Sequence, residues 1–335
     1  YKRLLMEKEL NHPPINFGKT GVLIITLGTP DSTSWFDIRK YLKEFLSDRR
    51  VIEVNPIVWQ IILNVFILNL RPSKTAKAYK EIWMKDKNIS PLLYHTQEQA
   101  KKLSNSFSEQ NLIIDYAMRY GNPSIKSKIK KLHEKGCENL IILPLYPQYA
   151  AATTATVCDE VYRTLMKMRW QPNLKIIPHY ESEPLYIEAI KNSILKKVSE
   201  INWKPDLIIA SYHGIPKKYF DKGDPYHCYC HKTTRLISEQ YSDIEIKTTF
   251  QSRFGPQEWL QPYTDKTLET LPKEGKKNIL VICPGFSSDC VETLEEISIQ
   301  GKESFIKSGG ENFEMVPCLN AVSYTHLTLP TSNSV

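Results

Sequence analysis

Seven apolar runs, each closed by Gly, Pro or a polar cluster, set the rhythm of this chain. They are GVLIITL (21–27), NLIIDYAM (111–118), NLIILPLY (139–146), LKIIPHY (174–180), DLIIASYH (206–213), IEIKTTFQ (244–251) and NILVICP (278–284). A strand that reads as a continuous apolar run, instead of alternating, is buried on both faces. Between the runs lie amphipathic segments such as 125–135, where Ile125, Ile129 and Leu132 fall at helical spacing. Strands alternating with helices predict an α/β fold built on parallel sheet.

Two pairs of segments echo one another. LGTP (27–30) and HGIP (213–216) each close an apolar run with Gly-x-Pro, and GCENLIILP (136–144) and GKKNILVICP (275–284) both read Gly, Asn, apolar run, Pro. A Thr follows nine residues after each of the last two prolines, at 153 and 293. The echo predicts two similar α/β lobes. They are unequal, because 111 residues separate Gly28 from Asn139 and only 64 separate Gly214 from Asn278. The expected division is an N-terminal extension (1–20), a first lobe (21–155) carrying an apolar insertion at 35–95, a second lobe (156–320) and a tail (321–335). Ligands of open α/β sheets bind beyond the carboxyl ends of the strands. There this chain has GTPDS, MRYGNPS, PLYPQYAAATT, SYHGIP, FQSRFGPQEW and PGFSSDCVE. Tyr, Phe, Arg and Gly in those segments suit a flat apolar slot with a few polar handles.

The insertion contains the longest apolar run, IVWQIILNVFILNL (57–70), broken by Gln60, Asn64 and Asn69. It is too short to span a bilayer. A buried helix is the ordinary expectation, and a lip that touches a membrane or an apolar ligand is the alternative. With 41% hydrophobic and 24% charged residues, the composition is that of a soluble globular protein. The net charge of +7 is spread out, without the basic stripe interleaved with aromatics that marks a nucleic-acid binder. No secretory signal is visible at the N-terminus, and Met6 is a candidate start. From Ser323 the text SYTHLTLPTSNSV lacks a helical period and resembles a translated adapter, so 321–335 is set apart as a non-native tail. Seven cysteines, an odd number without framework spacing, argue for a reducing compartment and a cytoplasmic protein. CYC (228–230), flanked by His227 and His231, lacks C-x-x-C spacing and a second ligand cluster, so no structural metal is expected there.

The chain has no G-x-G-x-x-G after the first strand, no G-x-x-x-x-G-K-[ST], no H-E-x-x-H and no G-x-S-x-G. Two features remain. His213 ends a buried strand, just before Gly214, and PGFSSDCVETLEEI (284–297) gathers Asp289, Glu292, Glu295 and Glu296. Asp289 and Glu292 fit a capping box, and acids in a first turn suit the helix dipole. Imidazole plus carboxylate also suits a borderline cation such as Fe²⁺ or Zn²⁺, or a proton transfer near neutral pH. The residue pattern leaves these uses open.

LIIASYHGIPKKYFDKGDPY (207–226) resembles the signature segment of the ferrochelatases. The resemblance spans roughly Gly21 to Asn320 and includes LGTPDS, YLKEFLSDRRVIEV, SPLLYHTQEQ, AMRYGNPSI, LPLYPQYAAATTATV, TTFQSRFGPQEWLQPYT, PGFSSDCVETLEEI and VPCLN. It implies two Rossmann-like lobes with parallel four-stranded sheets flanked by helices, a lip over a porphyrin cleft, and insertion of Fe²⁺ into a porphyrin with release of two protons. By resemblance, His213 is the essential active-site His and Glu292 its partner carboxylate, together the metal site, with Asp289 in the acidic path beside them. Arg119 and Tyr120 would line the opposite wall, and Tyr149 and Ser211 would also contact the porphyrin.

The chain departs from some relatives in two places. Cys290 stands where some members have His. Ala150 and Ala151 follow YPQY where cluster-bearing members have a cysteine, so no [2Fe–2S] cluster and no cofactor beyond substrate iron is expected. The lip and the ETLEEI helix resemble the members that use protoporphyrin. Porphyrin and ferrous iron are the expected partners, with peripheral contact at the inner membrane through 57–70 and the oligomeric state open. A coproporphyrin-using enzyme, another metal chelatase of the same class and a porphyrin or metal carrier without chemistry stand as alternatives.

Overall fold

The computed structural model describes residues 17–107 and 111–321. The first 16 residues and the segment 322–335, which holds most of the suspected adapter, lie outside the described residues. The apolar runs form strands. β1 (Lys19–Thr29), β2 (Leu112–Gly121), β3 (Cys137–Pro144) and β4 (Asn173–Ile176) make one parallel sheet in the order β2-β1-β3-β4. β5 (Leu207–His213), β6 (Ile246–Gln251), β7 (Asn278–Ile282) and β8 (Asn312–Met315) make a second in the order β6-β5-β7-β8. Val22, Leu23, Ile24 and Ile25 in β1, and Leu207 to Ala210 in β5, are buried on both faces by flanking helices, as unbroken apolar runs require.

The edges differ from expectation. The run 174–180 pairs only to Ile176, because Pro178 has no amide to continue the ladder. β8 has no apolar run to announce it, and only Phe313 and Met315 of its four residues are buried. β4 completes the first sheet although it lies past residue 155, so the first lobe reaches further than the expected boundary.

Between β1 and β2 lies the insertion. It comprises α1 (Trp35–Leu46), α2 (Pro56–Ile62), a π-helical stretch Leu63–Ile67, α3 (Leu68–Ile82) and α4 (Pro91–Ser106). Ser34 caps α1 by accepting from the Asp37 amide at 3.2 Å, and Asn55 caps α2 by accepting from the Ile57 amide at 3.0 Å. Leu63 and Leu68 are buried against Ile38, Tyr41 and Leu42. Ile57, Val58, Ile61, Val65, Phe66 and Leu70 each expose at least 50% of their surface. The 57–70 segment is therefore not the buried helix its composition suggests. Its polar interruptions serve its backbone, since Asn64 and Asn69 donate to the Gln60 and Val65 carbonyls, each at 2.8 Å. Among the described residues, no helix is long and apolar enough to cross a membrane.

Candidate active site

A crevice of about 1010 Å³, open solvent at its mouth included, lies where both sheets present their carboxyl ends. The first lobe lines it with Thr26, Leu27, Phe45, Val51, Tyr146 and Thr153. The second contributes His213, Tyr219, Trp259, Phe286, Cys290 and Glu292. The walls are predominantly apolar and aromatic, as the strand-end segments predict.

His213 is the last residue of β5. Its Nδ1 lies 2.7 Å from the Gly214 carbonyl oxygen. A carbonyl only accepts, so Nδ1 carries the proton and Nε2 of the neutral ring keeps a free lone pair. Glu292 opens a π-helical segment, Glu292–Gly301. The Gln251 amide donates to the Glu292 carbonyl at 2.7 Å, while its Oε1 accepts from Ser211 Oγ at 2.7 Å. Ser211 is fully buried and also contacts Thr264 Oγ1 at 2.9 Å. It braces β5 against the π-helix through Gln251 and does not line the crevice, in contrast to its expected substrate contact.

Glu296, one π-turn past Glu292, is the functional candidate that the family resemblance does not supply. Its Oε1 accepts from the Ser252 amide at 2.7 Å and its Oε2 from Ser252 Oγ at 2.5 Å. Ser252 takes φ +64°, an uncommon angle for a residue with a side chain, and so aims both donors at one carboxyl. Burial pushes the Glu296 carboxyl above its usual range, against the Ser252 bonds and the His213 charge, and the nearby Glu292 charge adds to the rise. Glu296 is thus in electrostatic reach of both His213 and Glu292. Its presence in the acidic run was the available sequence signal.

Asp289 is placed differently from its expected role. It is buried, it does not line the crevice, and it accepts from Asn320 Nδ2 at 2.6 Å and from Thr293 Oγ1 and the Cys318 amide, both at 3.2 Å. No side chain caps the π-helix, so the capping box is not formed either. Arg119 and Tyr120 meet on Asp48 instead of the crevice wall. Arg119 Nη2 and Tyr120 OH reach Asp48 Oδ2 at 2.5 and 2.9 Å, and Arg119 Nε donates to the Thr156 carbonyl at 2.9 Å. Tyr149 is half-buried and likewise outside the lining, with Asp224 and Arg50 as its charged neighbours. Tyr146 does face the crevice. Its hydroxyl is buried without a protein partner, and burial holds it protonated well above the usual range. Cys290, also on the wall, is a neutral thiol for the same reason, with the Glu292 charge adding to the effect. Among the described residues no group of three or more His, Cys, Asp or Glu is arranged to hold a metal, at CYC 228–230 or elsewhere.

Two parallel α/β lobes around an apolar crevice lined by His213 and Glu292, with Glu296 behind them, define a chelatase-like protein. The solved structure of SirB from Bacillus subtilis with Fe³⁺ shares the fold, with a TM-score of 0.56, 10% identity, and coverage of 92% of this chain and 91% of that one. The sirohydrochlorin chelatase SirB from Bacillus subtilis subspecies spizizenii, solved with cobalt, gives a TM-score of 0.52 at 8% identity, covering 92% and 90% of the two chains.

The chain belongs to the ferrochelatase family, whose family model matches residues 19–329. The ferrochelatase of Allorhizobium ampelinum is 55% identical over 312 residues, covering 92% of this chain and 91% of its own. That of Rhizobium meliloti is 54% identical over 318 residues, covering 94% of each. That of Francisella tularensis subsp. novicida is 52% identical over 308 residues, covering 91% and 92%. The family match runs to residue 329, into the segment set apart above as non-native.

Proposed function

We propose that this enzyme inserts ferrous iron into protoporphyrin, with His213 as the base and Glu292 as its charge partner. A free-base porphyrin carries two pyrrole N–H protons, and Fe²⁺ seats in the ring only when both have left. The balance is one Fe²⁺ in and two protons out, with no change of oxidation state. His213 Nε2 is the acceptor, because Nδ1 is committed to Gly214; that bond is the observation that carries the proposal. Glu292 stabilises the imidazolium and passes charge on, and Glu296, whose carboxyl burial pushes above its usual range, takes up a proton behind it. While Nε2 is unprotonated, that same lone pair and the Glu292 carboxylate offer nitrogen and oxygen donors to the incoming ion. The unpartnered Tyr146 hydroxyl meets a polar edge of the macrocycle. Arg119 and Tyr120 act on the site through Asp48, and Asp289 braces the π-helix.

The apolar lip rests on a membrane surface. Its exposed Ile, Val, Phe and Leu side chains, followed by the exposed Lys74, Lys77 and Lys80 of α3, combine apolar insertion with attraction to anionic headgroups.

Anaerobic loss of free-base protoporphyrin fluorescence on adding Fe²⁺ tests the reaction. The parent chain is expected to turn over, and His213→Ala to bind porphyrin with turnover lowered by about 10² to 10⁴. Equal rates in the two proteins would remove His213 from the chemistry. Binding without turnover in the parent would favour a carrier.

A further inference from the structure

We propose that Tyr219 and Lys222 are positioning residues that tie the insertion to the second lobe across the crevice mouth and so set how tightly porphyrin is held. The tie crosses between the lobes. Tyr219 OH accepts from the Glu53 amide at 3.1 Å and donates to the Val51 carbonyl at 3.1 Å. Lys222 Nζ lies 2.5 Å from Glu53 Oε2, and Lys218 Nζ reaches the Glu53 carbonyl at 3.5 Å.

The same short segment is fastened to the first lobe just upstream. Asp48 holds Arg119 and Tyr120, and Arg50 Nε and Nη2 make a bidentate pair with Asp159 at 2.5 and 3.0 Å. Residues 48–53 are thus pinned on both sides. Val51, whose carbonyl takes the Tyr219 bond, lines the crevice, and so does Tyr219. Tyr219 sits on the short helix Lys217–Asp221, six residues after His213, so the tie joins the insertion to the segment that follows the base. It touches no reacting atom. Its effect falls on a wall that porphyrin meets equally before and during metal insertion, and uniform binding appears in KM, not in kcat.

Tyr219→Phe keeps the ring on the wall and removes both bonds. Anaerobic steady-state turnover should show KM for protoporphyrin raised about tenfold with kcat within about twofold of the parent. A fall in kcat at unchanged KM, or no change in either, overturns the proposal. The ion pair gives a test that does not depend on Tyr219. Lys222→Glu and Glu53→Lys should each raise KM about threefold at low salt. The double reversal should restore it, and all differences should close at high salt. A double variant no better than the worse single variant removes Lys222 from the tie.

Discussion

β1 and β5 hold the same place in their sheets, yet β1 has Leu27-Gly28 just before its end at Thr29, where β5 closes on His213 and is followed by Gly214. Leu27 and His213 both line the crevice. The parallel continues after β3 and β7, where Thr153 falls in a π-helical turn, Ala151–Ala155, and Thr293 in the longer π-helix Glu292–Gly301. π-Turns are rare and concentrate at functional sites. In the first lobe the turn carries only Ala and Thr, whereas in the second it carries Glu292 and Glu296. One scaffold is therefore used twice, once to build an apolar wall and once to place a base and its acids. The insertion belongs to the wall-building lobe alone.

The largest effect expected from breaking this symmetry is on folding. Gly28 takes φ +111°, and an added Cβ would lie 1.8 Å from the Tyr120 carbonyl oxygen. At Gly214 the nearest atom, the Gln251 carbonyl oxygen, is 3.0 Å away and no left-handed angle is needed. Gly28→Ala should cost about 4 kcal/mol or more, and Gly214→Ala about 1 kcal/mol, in chemical denaturation. Equal losses would show that the two strand ends are not built differently.

Much of this architecture was legible because β1, β3, β5 and β7 are buried on both faces and so read as unbroken apolar text. The edge strand β8 was not, since four residues with two buried leave no pattern to recognise. The π-helices were invisible for a related reason: Asp289 and Glu292 have capping-box spacing, but whether the carboxylate meets a helix amide or Asn320 depends on a segment some thirty residues away. The His213 and Glu292 positions followed from strand-end logic and family resemblance. The fate of Arg119 and Ser211 did not, because both are conspicuous polar residues near strand ends whose partners, Asp48 and Gln251, lie on other elements.

A second contrast lies within the acidic helix. Glu292→Gln removes charge from the crevice wall and should lower kcat about 100-fold, with porphyrin affinity retained. Asp289→Ala strips an acceptor from Asn320, Thr293 and Cys318, and should lower stability by about 2 kcal/mol. Turnover and melting curves recorded on both variants separate these roles. A loss of turnover in folded Asp289→Ala as deep as that of Glu292→Gln would return Asp289 to the chemistry.

Glu296 gives a smaller, pH-dependent difference between the lobes, since the first π-turn has no acid. Its folded pKa is raised by burial above the reference value of 4.5, so the folded state binds the proton more tightly than the unfolded chain. Its contribution to stability is fully present below pH 4.5 and is lost as pH rises through the folded pKa. Glu296→Gln does not titrate. The melting temperature of the parent should therefore fall relative to that of the variant as pH is raised from 4.5, then run parallel to it. A parent melting temperature that rises relative to that of the variant over this range would reverse the sign and show that the Ser252 bonds outweigh burial.

The smallest effect on the folded molecule is expected where the lobes differ most in length. Ile61 and Phe66 expose 58% and 56% of their surface, and neither belongs to the buried cluster that Leu63 and Leu68 join. Placing Asp at both positions should change stability by no more than about 0.5 kcal/mol, because surface substitutions away from packed features seldom do more. If the lip only shields the crevice, sedimentation with anionic vesicles will be the same for parent and variant. If it rests on a membrane, the parent will sediment with the vesicles and the Ile61→Asp, Phe66→Asp variant will not, while turnover of detergent-dispersed porphyrin stays equal. The second outcome is expected, since the exposed apolar residues of 57–70 beside three exposed lysines match the chemistry of an anionic bilayer surface.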